Sequence, residues 1–179
     1  MRSILARVCC ARGGALAFAF RLEGDLGRLR IPGPAAPRRA HGLWRHTCFE
    51  AFVAPPGSPG YLELNFSPSG EWTAYAFRGY RDGASDALET APQIDVRIVA
   101  DRLELQARVD LNRLPALRGH DEIRLALCAV IEEEPGLLSY WALAHSAAKP
   151  DFHHPDAFAL TLELPGAHAA ERPTDEEAR

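Results

Sequence analysis

Between Pro150 and Pro155 the chain places an acid, an aromatic ring and two adjacent histidines: Asp151, Phe152, His153 and His154. Lys149, the only lysine, stands just before them, and the apolar run AFALTLEL follows. Such a segment could be a metal site, a catalytic site, the rim of a ligand site or a structural turn. Zinc takes three or four ligands in nearly rigid geometry. In an extended segment His153 and His154 point in opposite directions, so one ion cannot use both. Neither a His-x-x-x-His nor a His-x-Glu spacing occurs in this segment, and no metal ligand is assigned. Asp151 could orient a histidine that titrates near neutral pH. No Ser or Cys sits in a recognisable nucleophile elbow, however, and there is no phosphate-binding loop, so no catalytic residue is assigned. Two prolines hold a loop in one conformation and lower the entropy lost on binding. On the ligand-rim reading, Trp141, His145, Lys149, Asp151 and His153 line the open end of the sandwich near Trp44. On the structural reading, Asp151 and Asp156 accept amide hydrogen bonds and Phe152 pins the loop to the core.

A second constellation lies in LWRHTCFEAF. Read as a strand, it puts Trp44, His46, Cys48 and Glu50 on one face. A flat ring beside an imidazole and a carboxylate suits a sugar, whose C–H face lies on the ring while its hydroxyls exchange hydrogen bonds. The alternative has Trp44 filling the core and Glu50 paired with an arginine. In YLELNFSPSGEWTAY, Leu62, Leu64 and Phe66 alternate inward with Glu63, Asn65 and Ser67 outward. Pro68 and Gly70 form the turn, where glycine accepts a positive φ, and Asn65 is expected to bond the turn amides. Trp72 is either a second ring platform or a cross-strand partner for a residue such as Leu64. Arg78 and Arg81 flank Gly79 and Tyr80. A guanidinium fork suits hydroxyl pairs or a carboxylate, while Asp82 and Asp86 offer neutralising partners.

The elements that must position these residues read as strands. In DRLELQARVDL, Leu103, Leu105, Ala107, Val109 and Leu111 face one way and the polar residues the other, the mark of a sheet with one dry face. ALAFAFRLE and AFALTLEL repeat the pattern, and IRLALCAVI is apolar on both faces, as in the middle of a covered sheet. Turn signals (EGDLG, APPGSPG, SPSG, VADR, EEEPG) separate the runs. The only helical candidate is a turn or two near DLNRLPALRG, limited by Pro115. The expectation is an all-β, two-sheet antiparallel β-sandwich of about ten strands. It forms one domain over residues 1–165, with RIPGPAAPRRAHG as a surface connection and a disordered tail over 166–179.

Two segments, GLWRHTCFEAFVAP and YLELNFSPSGEWTAYAF, together resemble the core signature of family 9 carbohydrate-binding modules and the related DOMON-type domains. There a Trp precedes a strand bearing a fixed Glu, and a hairpin crosses an Asn-x-x-Pro-x-Gly turn. The matching positions here are Trp44, Glu50, Asn65, Pro68 and Gly70, and LQARVDLNRLPAL is similar to a later element. The resemblance covers about Leu43 to Leu164 and implies a stand-alone bacterial β-sandwich that binds a small molecule, above all a sugar or sugar derivative. Trp44, His46, Glu50, Asn65, Trp72, Arg81, Trp141, His145, Lys149, Asp151, His153 and His154 are the candidate ligand-binding residues. Arg45, His46 and Thr47 stand where the modules carry acids. A Met/His haem is excluded because Met1 is the only methionine. No cofactor is expected. Three alternatives stay open: an enzyme with His46, Glu50, His153 and His154 in one pocket, with or without a metal; a haem domain ligated by two histidines; and a protein-interaction domain that keeps the fold without the pocket.

Composition narrows the partners. The 179 residues are 47% hydrophobic, enough for one buried core. With a net charge of -4 and scattered arginines, no basic stripe follows a phosphate backbone, which argues against nucleic acid. No apolar run approaches the ~20 residues that span a bilayer, and Arg7 and Arg12 interrupt what would otherwise be an export signal. The expected location is cytoplasmic, which fits Cys9, Cys10, Cys48 and Cys128 as reduced thiols.

Overall fold

The computed structural model describes residues 3–145 and 149–164; the tail expected over 166–179 lies outside them. Strand β1 is Ser3–Ala11, β2 Ala15–Glu23, β3 Cys48–Ala54, β4 Tyr61–Phe66, β5 Trp72–Phe77 and β6 Ser85–Asp86. Then follow β7 Gln93–Val99, β8 Arg102–Asp110, β9 Glu122–Glu133, β10 Leu137–Ala142 and β11 Leu160–Glu163. One sheet has the order β1-β2-β8-β7. The other runs β10-β9-β3-β4-β5-β6, with β11 also pairing β9. All pairings between these strands are antiparallel. This is the all-β two-sheet sandwich that the alternation predicts, and the DLNRLPALRG segment forms two 3₁₀ turns.

Alternation builds the core. Leu16, Phe18, Phe20 and Leu22 of β2 and Leu103, Leu105, Ala107 and Val109 of β8 face the second sheet. They meet Phe49, Ala51 and Val53 of β3 and Leu62, Leu64 and Phe66 of β4. Phe20 stacks on Phe49 at 5.0 Å and Phe18 tilts against Phe66 at 5.7 Å. At the β4–β5 turn Gly70 takes φ 89°, a conformation that L side chains rarely adopt.

A two-sheet sandwich requires only one buried face per sheet. Here the seven-stranded sheet is buried on both, because every residue of β3 and β4 is buried. On its outer face Phe52, Ala126, Cys128 and Val130 form a second apolar cluster with Phe152, Ala157 and Phe158. These last three belong to the crossover between β10 and β11. The β2–β3 connection, expected as a surface loop, is stitched to the same sheet: Ala40 N–H donates to Trp72 O at 2.9 Å and Ala35 N–H to Ser69 O at 2.8 Å. The outer face of this sheet therefore has a floor of strands and a partial roof of loops.

Candidate ligand-binding cleft

Between floor and roof lies a cleft of about 630 Å³. Glu50 of β3, Glu63 of β4, Tyr75 and Phe77 of β5, Val130 of β9 and Tyr140 of β10 form its floor. Trp44, Arg81, Ala84, Pro150, Phe152 and His153 come from the three covering loops. The volume is in the range of small-molecule sites.

Trp44 is not on a strand. It sits in a 3₁₀ turn, Leu43–Arg45, entered through Gly42 at φ 74°, so the strand-face pairing of Trp44 with His46 is corrected. The turn breaks the two-residue alternation before β3 begins at Cys48. Trp44 still reaches the same cleft as Glu50, with its residue 46% exposed, and the Arg45 guanidinium lies 5.2 Å from its ring centroid. Behind the turn, His46 Nδ1 and Glu132 Oε2 are 2.7 Å apart and Arg30 pairs with Glu132 at 3.2 Å. The His46 hydrogen bond, opposed by desolvation and aided by Arg30, holds the Glu132 carboxyl below its usual range. His46 is thus a clamp on the loop that carries Trp44.

The floor carries a row of polar residues in cross-strand register, Glu50 on β3, Asn65 on β4 and Thr73 on β5. All three are buried. Asn65 Nδ2 donates to Glu63 Oε1 at 2.6 Å. Asn65 was expected to serve the turn amides. Instead, the Ser69 amide donates to Ser67 Oγ and the Glu71 amide to Ser69 Oγ. Glu50 Oε1 and Thr73 Oγ1 have no hydrogen-bond partner. Buried polar atoms are nearly always paired, so two orphaned oxygens in one row mark a place where an external group belongs. Burial, reinforced by the negative charge of Glu63, pushes the Glu50 carboxyl well above its normal range. Burial also raises Glu63, against the lowering effects of the Asn65 hydrogen bond and Arg81.

One wall is a hydrogen-bonded chain. The Arg81 amide donates to Tyr61 Oη at 3.1 Å, and Tyr61 Oη lies 2.7 Å from His153 Nδ1. With its hydroxyl accepting from that amide, Tyr61 donates to Nδ1, which leaves the His153 proton on Nε2, 3.7 Å from Glu63 Oε2. Burial first, and then the Arg81 charge, lower His153 to about 4, so the ring is neutral at physiological pH. Asp151 accepts from Arg81 Nη2 at 2.8 Å, Tyr80 Oη at 2.6 Å and the His153 amide at 3.2 Å. Burial alone would raise its pKa, but the Tyr80 and Arg81 hydrogen bonds outweigh this and hold it low. Arg81 accepts a φ of 52°, uncommon for a side chain of its size, within this chain of contacts.

The candidate residues divide accordingly. Trp44, Glu50, Arg81 and His153 meet at the cleft, with Asp151 behind Arg81 and Asn65 in the row beneath. Trp72 is corrected from platform to core: β5 pairs it with Phe66, and it is 3% exposed on the inner face. Trp141 is likewise turned inward, packed against the core with its indole N–H donating to Ser139 Oγ at 3.1 Å; its neighbour Tyr140 faces the cleft. His154 caps a 3₁₀ turn by accepting the Asp156 amide. His145 is exposed near the Phe152 ring, and Lys149 is exposed before Pro150. Because His46 and His154 have other roles, the four-residue pocket of the enzyme alternative is not assembled. Among the described residues no group of three or more His, Cys, Asp or Glu is placed to hold a metal ion. Glu63, Tyr75, Phe77 and Tyr140 escaped the sequence reading. Only Glu63 had a usable signal there, since it lies two residues from Asn65 on one strand face.

No protein-family model matches the chain, and neither does any curated protein by sequence. Solved structures do match. A candidate carbohydrate-binding protein from Bacteroides uniformis ATCC 8492 superposes with a TM-score of 0.63 at 15% identity, covering 90% of this chain and 78% of the other. A family 9 carbohydrate-binding module from Caldicellulosiruptor kristjanssonii matches in its cellotriose complex with a TM-score of 0.55 at 10% identity, over 97% of this chain and 82% of that one. A glucose complex of a family 9 module from the same organism gives 0.50 at 8% identity, over 97% and 83%. The likeness is one of architecture: the chain has the two-sheet fold of the family 9 carbohydrate-binding modules.

Proposed function

We propose that the chain is a binding domain for a sugar, held in the cleft on the outer face of the seven-stranded sheet. The observation that carries this reading is Glu50 Oε1, buried without a partner on a floor bordered by the exposed rings of Trp44 and Tyr140. A pyranose offers what that place lacks, with hydroxyls for the polar row and a C–H face for a ring. Family 9 modules of the same fold that hold glucose and cellotriose support the ligand class.

Trp44 is the one tryptophan that lines the cleft, so sugar binding should change its fluorescence. In calorimetric and fluorescence titrations with glucose and cello-oligosaccharides, Trp44→Ala should weaken binding about tenfold, the loss of one ring contact of about 1.4 kcal/mol. Its urea midpoint should barely move, as for an exposed side chain. Trp141→Ala should do the opposite, lowering stability while leaving affinity in place. A protein that answers no sugar by either method would refute the reading.

A further inference from the structure

The cleft holds more acidic groups than cationic partners for them. Arg81 supplies the cationic side chain of its wall, and Asp151 already neutralises it. His153 is neutral. Two buried carboxyl groups remain on the floor, Glu63 with the Asn65 amide and Glu50 with nothing on Oε1. Among the described residues no ion pair reaches Glu50. The remaining titratable groups that raise or feel its charge are the thiols of Cys48 on its own strand and Cys128 opposite it on β9. Both thiols are held protonated by burial.

A neutral sugar cannot correct this imbalance. It leaves Glu50 either protonated or charged without a counter-ion, and an uncompensated buried charge is costly. An ammonium group can correct it. It donates up to three hydrogen bonds, and charge-assisted bonds to a carboxylate are about twice as strong as neutral ones. The aromatic residues of the cleft, Trp44, Tyr75, Phe77, Tyr140 and Phe152, add attraction for a cation when water is displaced. The geometry points to an amino sugar as the ligand class, with its protonated amine set against Glu50 and its ring among the aromatic residues. This rests on the sugar-binding reading of the same cleft and narrows it. Because Glu50 prefers to hold its proton in the empty cleft, seating an ammonium there should expel that proton to solvent.

The test is calorimetry with glucose, glucosamine and N-acetylglucosamine, at a mildly acidic pH where a free amine is protonated. Each titration is repeated in two buffers of different ionisation enthalpy. Glucosamine should bind about tenfold more tightly than glucose, as expected for one charge-assisted contact. N-acetylglucosamine, its uncharged counterpart, should show no such gain. Proton release should accompany glucosamine alone, a result that needs no variant. In E50Q the preference for glucosamine over glucose should fall to within about twofold, whatever the change in the affinity for glucose itself. Glucosamine binding no better than glucose overturns the inference and leaves the sugar reading intact. A preference that survives in E50Q, or glucosamine binding without proton release, overturns the role given to Glu50. Absence of binding by all three sugars overturns both readings.

Discussion

Phe52→Ala should destabilise the fold by about 3–5 kcal/mol and abolish the ligand response. Phe52 is fully buried, yet it belongs to the outer face of the seven-stranded sheet and not to the core between the sheets. Its ring meets Phe152, His153 and Phe158 edge-on, with centroids at 6.5, 5.0 and 6.3 Å, and tilts against Tyr61 at 6.2 Å. Truncation removes the contact on which the β10–β11 crossover rests, and that crossover supplies Phe152 and His153 to the cleft. The inner core around Phe18, Phe20, Phe49 and Phe66 would remain complete. The expected result is a protein that still folds into a sandwich, with a lower urea midpoint and a cleft without its wall. Phe52→Leu, which refills most of the space, should cost clearly less. If urea unfolding shows a loss below about 1 kcal/mol for the alanine variant, the crossover does not depend on this face.

The strands were legible because alternation is a local property. Leu103 to Val109 or Leu16 to Leu22 need no partner to declare a buried face, and the structure pairs these two runs. The two-sided apolar character of IRLALCAVI likewise announced a central strand covered above and below, as β9 is. The cleft was only partly legible, for two physical reasons. First, phase is lost wherever a strand stops: the 3₁₀ turn at Leu43–Arg45 separated Trp44 from the alternation of β3, and a one-residue difference in phase exchanged Tyr140 for Trp141. Second, tryptophans attract attention as ring platforms, although their area makes them equally good core residues. Trp72 and Trp141 follow the core pattern. The buried carboxyls were harder still. Glu63 reads as an exposed alternating residue until the crossover is known to fold over it, and that contact spans from β4 to residue 153.

Acid should expose the state of His153. Its folded pKa is about 4, against about 6.5 for the unfolded chain. Above the unfolded value the ring is neutral in both states, and no stability depends on it. As pH falls below 6.5 the unfolded chain takes up a proton that the folded one refuses, so stability drops until the pH reaches about 4, where the loss is complete. With about 1.4 kcal/mol per pKa unit, the loss amounts to roughly 3 kcal/mol. Glu50 and Glu63 act in the opposite direction over part of the same range. Their folded pKa values are raised, so the native state holds protons that the unfolded state has released, and acidification favours folding. The two effects blur in a single stability curve. They separate in the difference between wild type and His153→Gln, whose side-chain carbonyl can still accept from Tyr61. That difference should shift against the wild type by roughly 3 kcal/mol between neutral pH and pH 4, as measured by urea unfolding at each pH. Glu63, 3.7 Å from Nε2, is the acid placed to stabilise an imidazolium, but burial keeps its own proton on in acid and removes that counter-charge. Parallel curves for the two proteins would mean that His153 titrates as a solvated histidine and that the wall it forms with Tyr61 is open to water.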